Sequence, residues 1–154
     1  MDGDKVAGRN HRKVVMITHV LPRAVIIHGH SHALAALQAA AAADVPIALW
    51  SAPGAAVYAG AGWFDALIRQ AARAAPGARF IAVLDCADRA DLAQAALRQG
   101  VTQICFRGSP DLARRLADIA GQYGATLHRK MPLALDLLHV DDPSAACRAW
   151  LSGD

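Results

Sequence analysis

Five short apolar runs recur along the chain: Ala24–His28, Pro46–Trp50, Phe80–Leu84, Thr102–Phe106 and Ala125–His128. They are unbroken rather than alternating. A strand with one face in water alternates apolar and polar residues. A strand covered on both faces reads as a continuous apolar run, the pattern of a parallel sheet flanked by helices. The spacing agrees: Phe80 and Thr102 are 22 residues apart, and Thr102 and Ala125 are 23. That length holds one strand, one helix and two short turns. Leu135–Val140 is a candidate sixth strand.

The segments between the runs carry helix signals. Ser31 is placed to cap an Ala-rich helix running to about Ala43. Phe64, Leu67, Ile68, Ala71 and Ala75 form one stripe at helical spacing, stopped by Pro76-Gly77. Asp88 is expected to cap the next helix, which carries Leu92, Ala95 and Ala96 inward and ends at Gly100. Ser109-Pro110 and Asp142-Pro143 each place a capping side chain before a proline at the first helical position. Gly124 ends the helix that carries Leu112, Leu116, Ile119 and Tyr123.

The 154 residues are 55% hydrophobic, enough to build the core of one domain. We place that domain at 21–154, after a tail at 1–20 expected to be disordered or partly ordered. Residues 13–19 are a weak candidate for one more strand. The net charge of +3 sits entirely in residues 1–23, where five Lys/Arg face two Asp; the other 11 and 11 cancel. A neutral folded part argues against a nucleic-acid surface. No apolar run approaches the roughly 18 residues of a membrane span, and the basic N-terminal stretch lacks the apolar core of a signal peptide. A cytoplasmic protein is expected. Cys86, Cys105 and Cys147 are odd in number and lack paired spacing, so they read as free thiols. All 13 acids are Asp, which excludes any mechanism that needs a glutamate.

The stretch Pro46-Ile47-Ala48-Leu49-Trp50-Ser51-Ala52-Pro53-Gly54-Ala55-Ala56-Val57-Tyr58-Ala59-Gly60 resembles the second strand and following loop of class II fructose-bisphosphate aldolases. A helix follows at Trp63–Ala75. Ile81-Ala82-Val83-Leu84-Asp85-Cys86 then stands where that family has a His-Leu-Asp-His-Gly motif. Val101–Ser109 stands where it has a strand ending in Asp-Gly-Ser. The resemblance covers roughly residues 24–123, about the first half of such a barrel. It implies that Asp85 matches the catalytic acid/base. The same comparison puts Cys86 at a metal-binding histidine, Val83 at another histidine, and Arg107 at the aspartate of Asp-Gly-Ser. A zinc-dependent aldolase needs three protein ligands and an open position, and the matching positions do not supply them. The resemblance therefore implies common descent and fold without that activity.

Eight strands close a barrel of this type; five or six do not. The expected fold is α/β with a parallel sheet of five or six strands. It is either open and doubly wound (flavodoxin-like), with helices on both faces, or a half-TIM-barrel; the open sheet is preferred. The Ala-rich first helix, apolar nearly all round, points to a homo-oligomer contact.

Ligands in parallel α/β folds bind beyond the carboxyl ends of the strands. His28, His30 and Cys86 are the candidate metal ligands there, with zinc as the metal; the plainer reading is a polar strand-to-helix turn. Asp85 is the candidate catalytic residue, a desolvated carboxylate able to act as a base. Ser51, Gly54, Arg107, Gly108 and Ser109 are the candidate contacts for a small anionic ligand. The alternative for Arg107 is an ion pair with Asp85. The leading functional reading is a non-catalytic or repurposed aldolase-like domain. The alternatives are a small metal-dependent lyase or hydrolase using His28, His30 and Asp85, and a structural or partner-binding module.

Overall fold

The computed structural model of the chain describes residues 22–153. The tail at 1–20 and the weak strand candidate at 13–19 lie outside the described residues. The elements are β1 Arg23–Ile27, α1 His30–Ala43, β2 Ile47–Ser51, α2 Ala55–Tyr58, α3 Ala61–Arg73, β3 Phe80–Asp85, α4 Ala90–Arg98, β4 Gln103–Cys105, α5 Pro110–Gln122, β5 Thr126–His128, β6 Ala134–Asp136 and α6 Pro143–Ser152.

All six strands are parallel, in the order β5-β4-β3-β2-β1-β6. The expected parallel α/β sheet is present, and it is open. The apolar runs form the strands, and burial is most complete in the middle of the sheet, where every residue of β2 is buried, and least at the edge strand β5. The sixth strand also forms, slightly earlier than Leu135–Val140.

Helices were expected on both faces, and here the structure differs. From β1 to β5 each strand is laid down beside the last in one direction. Right-handed crossovers then keep all the connecting helices on the same side. Val25, Ile27, Ile47, Leu49, Leu84, Ile104 and Leu137 pack on that side with residues from every described helix. The other face carries Ala24, Ile26, Ala48, Trp50, Val83 and Cys105, packed among the described residues against Ile81, Met131 and Ala134, with no residue of a described helix. The chain returns from β5 at one edge to β6 at the other through residues 129–133, and Met131 packs against the helix-free face on the way. One-sided winding of this kind is that of half a barrel.

The apolarity of α1 has an internal cause. Ala33, Ala35, Ala36, Leu37, Ala39 and Ala40 are all buried, because α1 is wedged between the sheet, α3 and α6. The ground on which the sequence suggested a second copy is thus used up within one chain. Among the described residues, no helix is long and apolar enough to cross a membrane.

Two of the four expected caps form. Ser109 Oγ accepts from the Leu112 N–H at 3.3 Å, and Asp142 Oδ1 accepts from the Ala145 N–H at 3.1 Å. The other two are displaced. Gly29, not Ser31, is the N-cap of α1, and Arg89, not Asp88, is that of α4; neither uses a side chain. Ser31 lies one residue inside its helix and is exposed. We therefore expect Ser109→Ala and Asp142→Ala to cost about 1 kcal/mol each, and Ser31→Ala and Asp88→Ala to stay within about 0.5 kcal/mol of wild type. Urea unfolding of the four variants measures this.

Candidate functional site

Because the strands are parallel, Ile27, Ser51, Asp85, Cys105, His128 and Asp136 all end at one edge of the sheet. Alternation along each strand then divides the neighbouring side chains between the two faces. On β3, Asp85 follows Ile81 and Val83 onto the helix-free face. Cys86 follows Ala82 and Leu84 into the helix-side core.

Asp85 is 1% exposed. Its Oδ1 accepts three hydrogen bonds of 2.9 Å: from the Gly54 N–H, the Ala87 N–H and Arg107 Nη2. The three donors come from the loops after β2, β3 and β4. Ser51 is also buried; its Oγ accepts from the Asp85 N–H at 2.9 Å and donates to Ala52 O. Local backbone shape aims these groups. Gly54 has φ +72°, a left-handed conformation natural to glycine. Ala87 is held at φ 53°, a strain of about 1 kcal/mol. Its N–H meets Asp85 while its carbonyl accepts from the Arg107 N–H at 2.7 Å. The Arg107 side chain is 44% exposed, so the rest of its guanidinium faces outward. Asp85 Oδ2 is buried without a hydrogen-bond partner. Beside this carboxylate lies the Cys105 thiol, a weak donor; burial first, and the carboxylate next, push it up to about 12.

Gly108 and Ser109 are used by the fold. A Cβ on Gly108 would lie 2.3 Å from the Phe106 ring, which is fully buried. Ser109 caps α5 as described above. Arg129, which the sequence reading missed, braces this loop. It donates to Phe106 O at 3.0 Å and Gly108 O at 2.8 Å, with its guanidinium 5.8 Å from the Phe106 ring centre. Taking the residue after each strand, and not only motif positions, would have picked it out.

The histidines form a separate group. His28 Nε2 donates to Asp136 Oδ1 at 2.7 Å, and the His28 N–H donates to His32 Nδ1 at 3.1 Å. Burial alone would raise Asp136, but the Leu138 N–H and His28 outweigh it and hold the carboxyl below its ordinary value. His32 is lowered by burial and then by His28. His28 and His30 line an open cleft of about 420 Å³ with Trp63, Leu67 and Gln70, which Asp85 and Arg107 do not border. His30 Nε2 is buried and without a partner. A smaller cleft of about 210 Å³, lined by Phe80 and Val101 among others, lies by the amino ends of β3 and β4, the wrong edge for a parallel α/β site.

The proposed zinc set does not converge. His28 is engaged with Asp136 on β6, β2 separates it from Asp85, and the Cys86 thiol lies in the helix-side core 3.8 Å from Leu84 O. Burial, then Asp85 and Cys105, push Cys86 up to about 12, the opposite of an activated thiolate. Among the described residues no three His, Cys or Asp side chains are grouped to hold a metal ion. What does converge is Ser51, Gly54, Asp85 and Arg107.

Two expectations follow. Gly108→Ala forces a methyl into the Phe106 ring and should cost about 1–3 kcal/mol, read by urea unfolding. His128 and His32 are both lowered, by burial in each case. Below their unfolded value of about 6.5 the unfolded chain binds more protons than the folded one, so stability falls as pH drops. Urea midpoints between about pH 7.5 and 5.5 should decline through that value, and His128→Gln should flatten part of the decline.

No family model matches the chain, and no curated protein matches it.

Proposed function

We propose that this chain is a repurposed, aldolase-like half-barrel without class II aldolase activity, which binds a small anion through Arg107 at the carboxyl edge of its sheet. One observation carries the reading. Asp85 Oδ1, on the residue that matches the family's acid/base, is committed to three donors, and one of them is a guanidinium left 44% exposed at the rim. A carboxylate tied in this way serves as an anchor. It neutralises one side of Arg107, fixes its geometry, and leaves the outer nitrogens for a planar anion. The pairing also accounts for two departures from the aldolase pattern together, since Arg107 replaces an aspartate and contacts the carboxylate that remains. The three free, buried thiols support a reducing compartment such as the cytoplasm.

A second reading, a partner-binding module, draws on Val57, Tyr58 and Trp63, which are 51%, 69% and 43% exposed on and just after α2. Such a surface fits docking onto another protein.

The anion reading is tested by calorimetric titration with acetate and with inorganic phosphate at low ionic strength. Saturable binding should weaken at least about tenfold in Arg107→Gln. Equal binding by wild type and variant would remove the basis for the reading. Asp85→Ala should cost about 3 kcal/mol of stability, because it orphans two backbone donors and a guanidinium together.

A further inference from the structure

Of the three buried polar atoms without a hydrogen-bond partner among the described residues, His30 Nε2, Trp50 Nε1 and Asp85 Oδ2, the last two are complementary. Trp50 Nε1 is a donor without an acceptor, and Asp85 Oδ2 is an acceptor with only the weakly donating Cys105 thiol beside its carboxylate. Both side chains are 1% exposed, at a depth where unpaired polar groups are rare. They share a face. Trp50 on β2 is in register with Val83 on β3, and Asp85 lies two residues further along that strand on the same side. The Trp50 ring reaches across the sheet to His128, with ring centres 5.3 Å apart. Cys105 stands on β4, one of the two intervening strands, on the same face. Arg107, in the loop after β4, is tied to the other oxygen of the same carboxylate.

A hydroxyl is the simplest group that donates and accepts at one atom. It can donate to Asp85 Oδ2 and accept from Trp50 Nε1–H. The two oxygens of Asp85 then set the scale of the ligand, because one would hold the hydroxyl and the other already holds Arg107. An anionic group one carbon away from the hydroxyl would meet the outer guanidinium nitrogens. The flat, forked guanidinium suits a carboxylate. Entry is from the rim, where Arg107 is exposed.

We propose that the site recognises a small 2-hydroxycarboxylate, its hydroxyl held between Trp50 and Asp85 and its carboxylate on Arg107. The proposal rests on the Arg107 anion reading and adds to it recognition of the hydroxyl. A site built around a hydroxyl discriminates strongly against the analogue that lacks one.

The experiment follows the indole N–H resonances by ¹H–¹⁵N NMR while the full chain is titrated with glycolate and, separately, with acetate. Trp50→Phe identifies the Trp50 signal by its disappearance, and circular dichroism verifies that variant's fold. Glycolate should shift the Trp50 signal saturably and bind at least about tenfold tighter than acetate. Trp50→Phe should bring glycolate down to the affinity of acetate without changing acetate. Arg107→Gln should weaken both. If wild type binds both anions alike, with Arg107 dependence, hydroxyl recognition is refuted and the anion site stands. A glycolate preference that persists in Trp50→Phe refutes it as well. If neither anion binds, this proposal and the anion reading both fall. The comparison of the two anions on wild type decides the matter even if Trp50→Phe does not fold.

Discussion

A single carboxylate oxygen organises the functional edge of this protein. Asp85 Oδ1 accepts from Gly54, Ala87 and Arg107, and so fixes the loops after three adjacent strands against one another. Loops at the carboxyl edge of a parallel sheet are otherwise held only by their own turns. Here a buried negative charge replaces water with fixed donors, and each donor is spent on it rather than on solvent. The left-handed backbone at Gly54 and Ala87 is the local consequence, since both residues are bent so that their N–H groups reach one point. Replacing the anchor would alter not one contact but the relative placement of three loops.

Much of the architecture was legible in the chain because unbroken apolar runs have few structural uses. Such runs account for five of the six strands, and the 22- and 23-residue steps from Phe80 to Thr102 to Ala125 mark the repeat of strand and helix in the second half. Ser109-Pro110 and Asp142-Pro143 were readable because cap and proline occur together, and each fixes the register of the other. Ser31 and Asp88 were misplaced because a lone polar residue in a turn leaves a helix start free to move by one or two positions. The helix then begins where the backbone turns, at Gly29 and Arg89. Helix placement was not legible, since an apolar run reads the same whichever side the helices occupy. Strand order decides that, and strand order is set by contacts distant in sequence.

The site was legible in part for a similar reason. Parallel strands bring their ends to one edge, and there Ser51 and Arg107 both contact Asp85. The reading could not supply which way each side chain points. Asp85 and Cys86 are adjacent in sequence yet face opposite sides of the sheet, so they cannot act on one ligand. His28 lies at the same edge, but its imidazole is taken by Asp136 from β6. That strand sits beside β1 only because the chain crosses the whole sheet first. Gly108, read as a contact for an anion, also leaves the space that the Phe106 ring occupies.

The β1–β6 pairing has a consequence for how the molecule is made. Ala24 on the first described strand pairs with Ala134, so β1 keeps one bare, apolar edge until synthesis has passed β6. At bacterial or eukaryotic translation speeds of about 5–20 residues per second, a nascent chain would carry that unpaired edge for several seconds. An exposed hydrophobic strand edge is a template for joining other chains. The segment β6–α6 therefore acts as a seal over that edge, and a chain cut before it would leave β1 as an open edge strand.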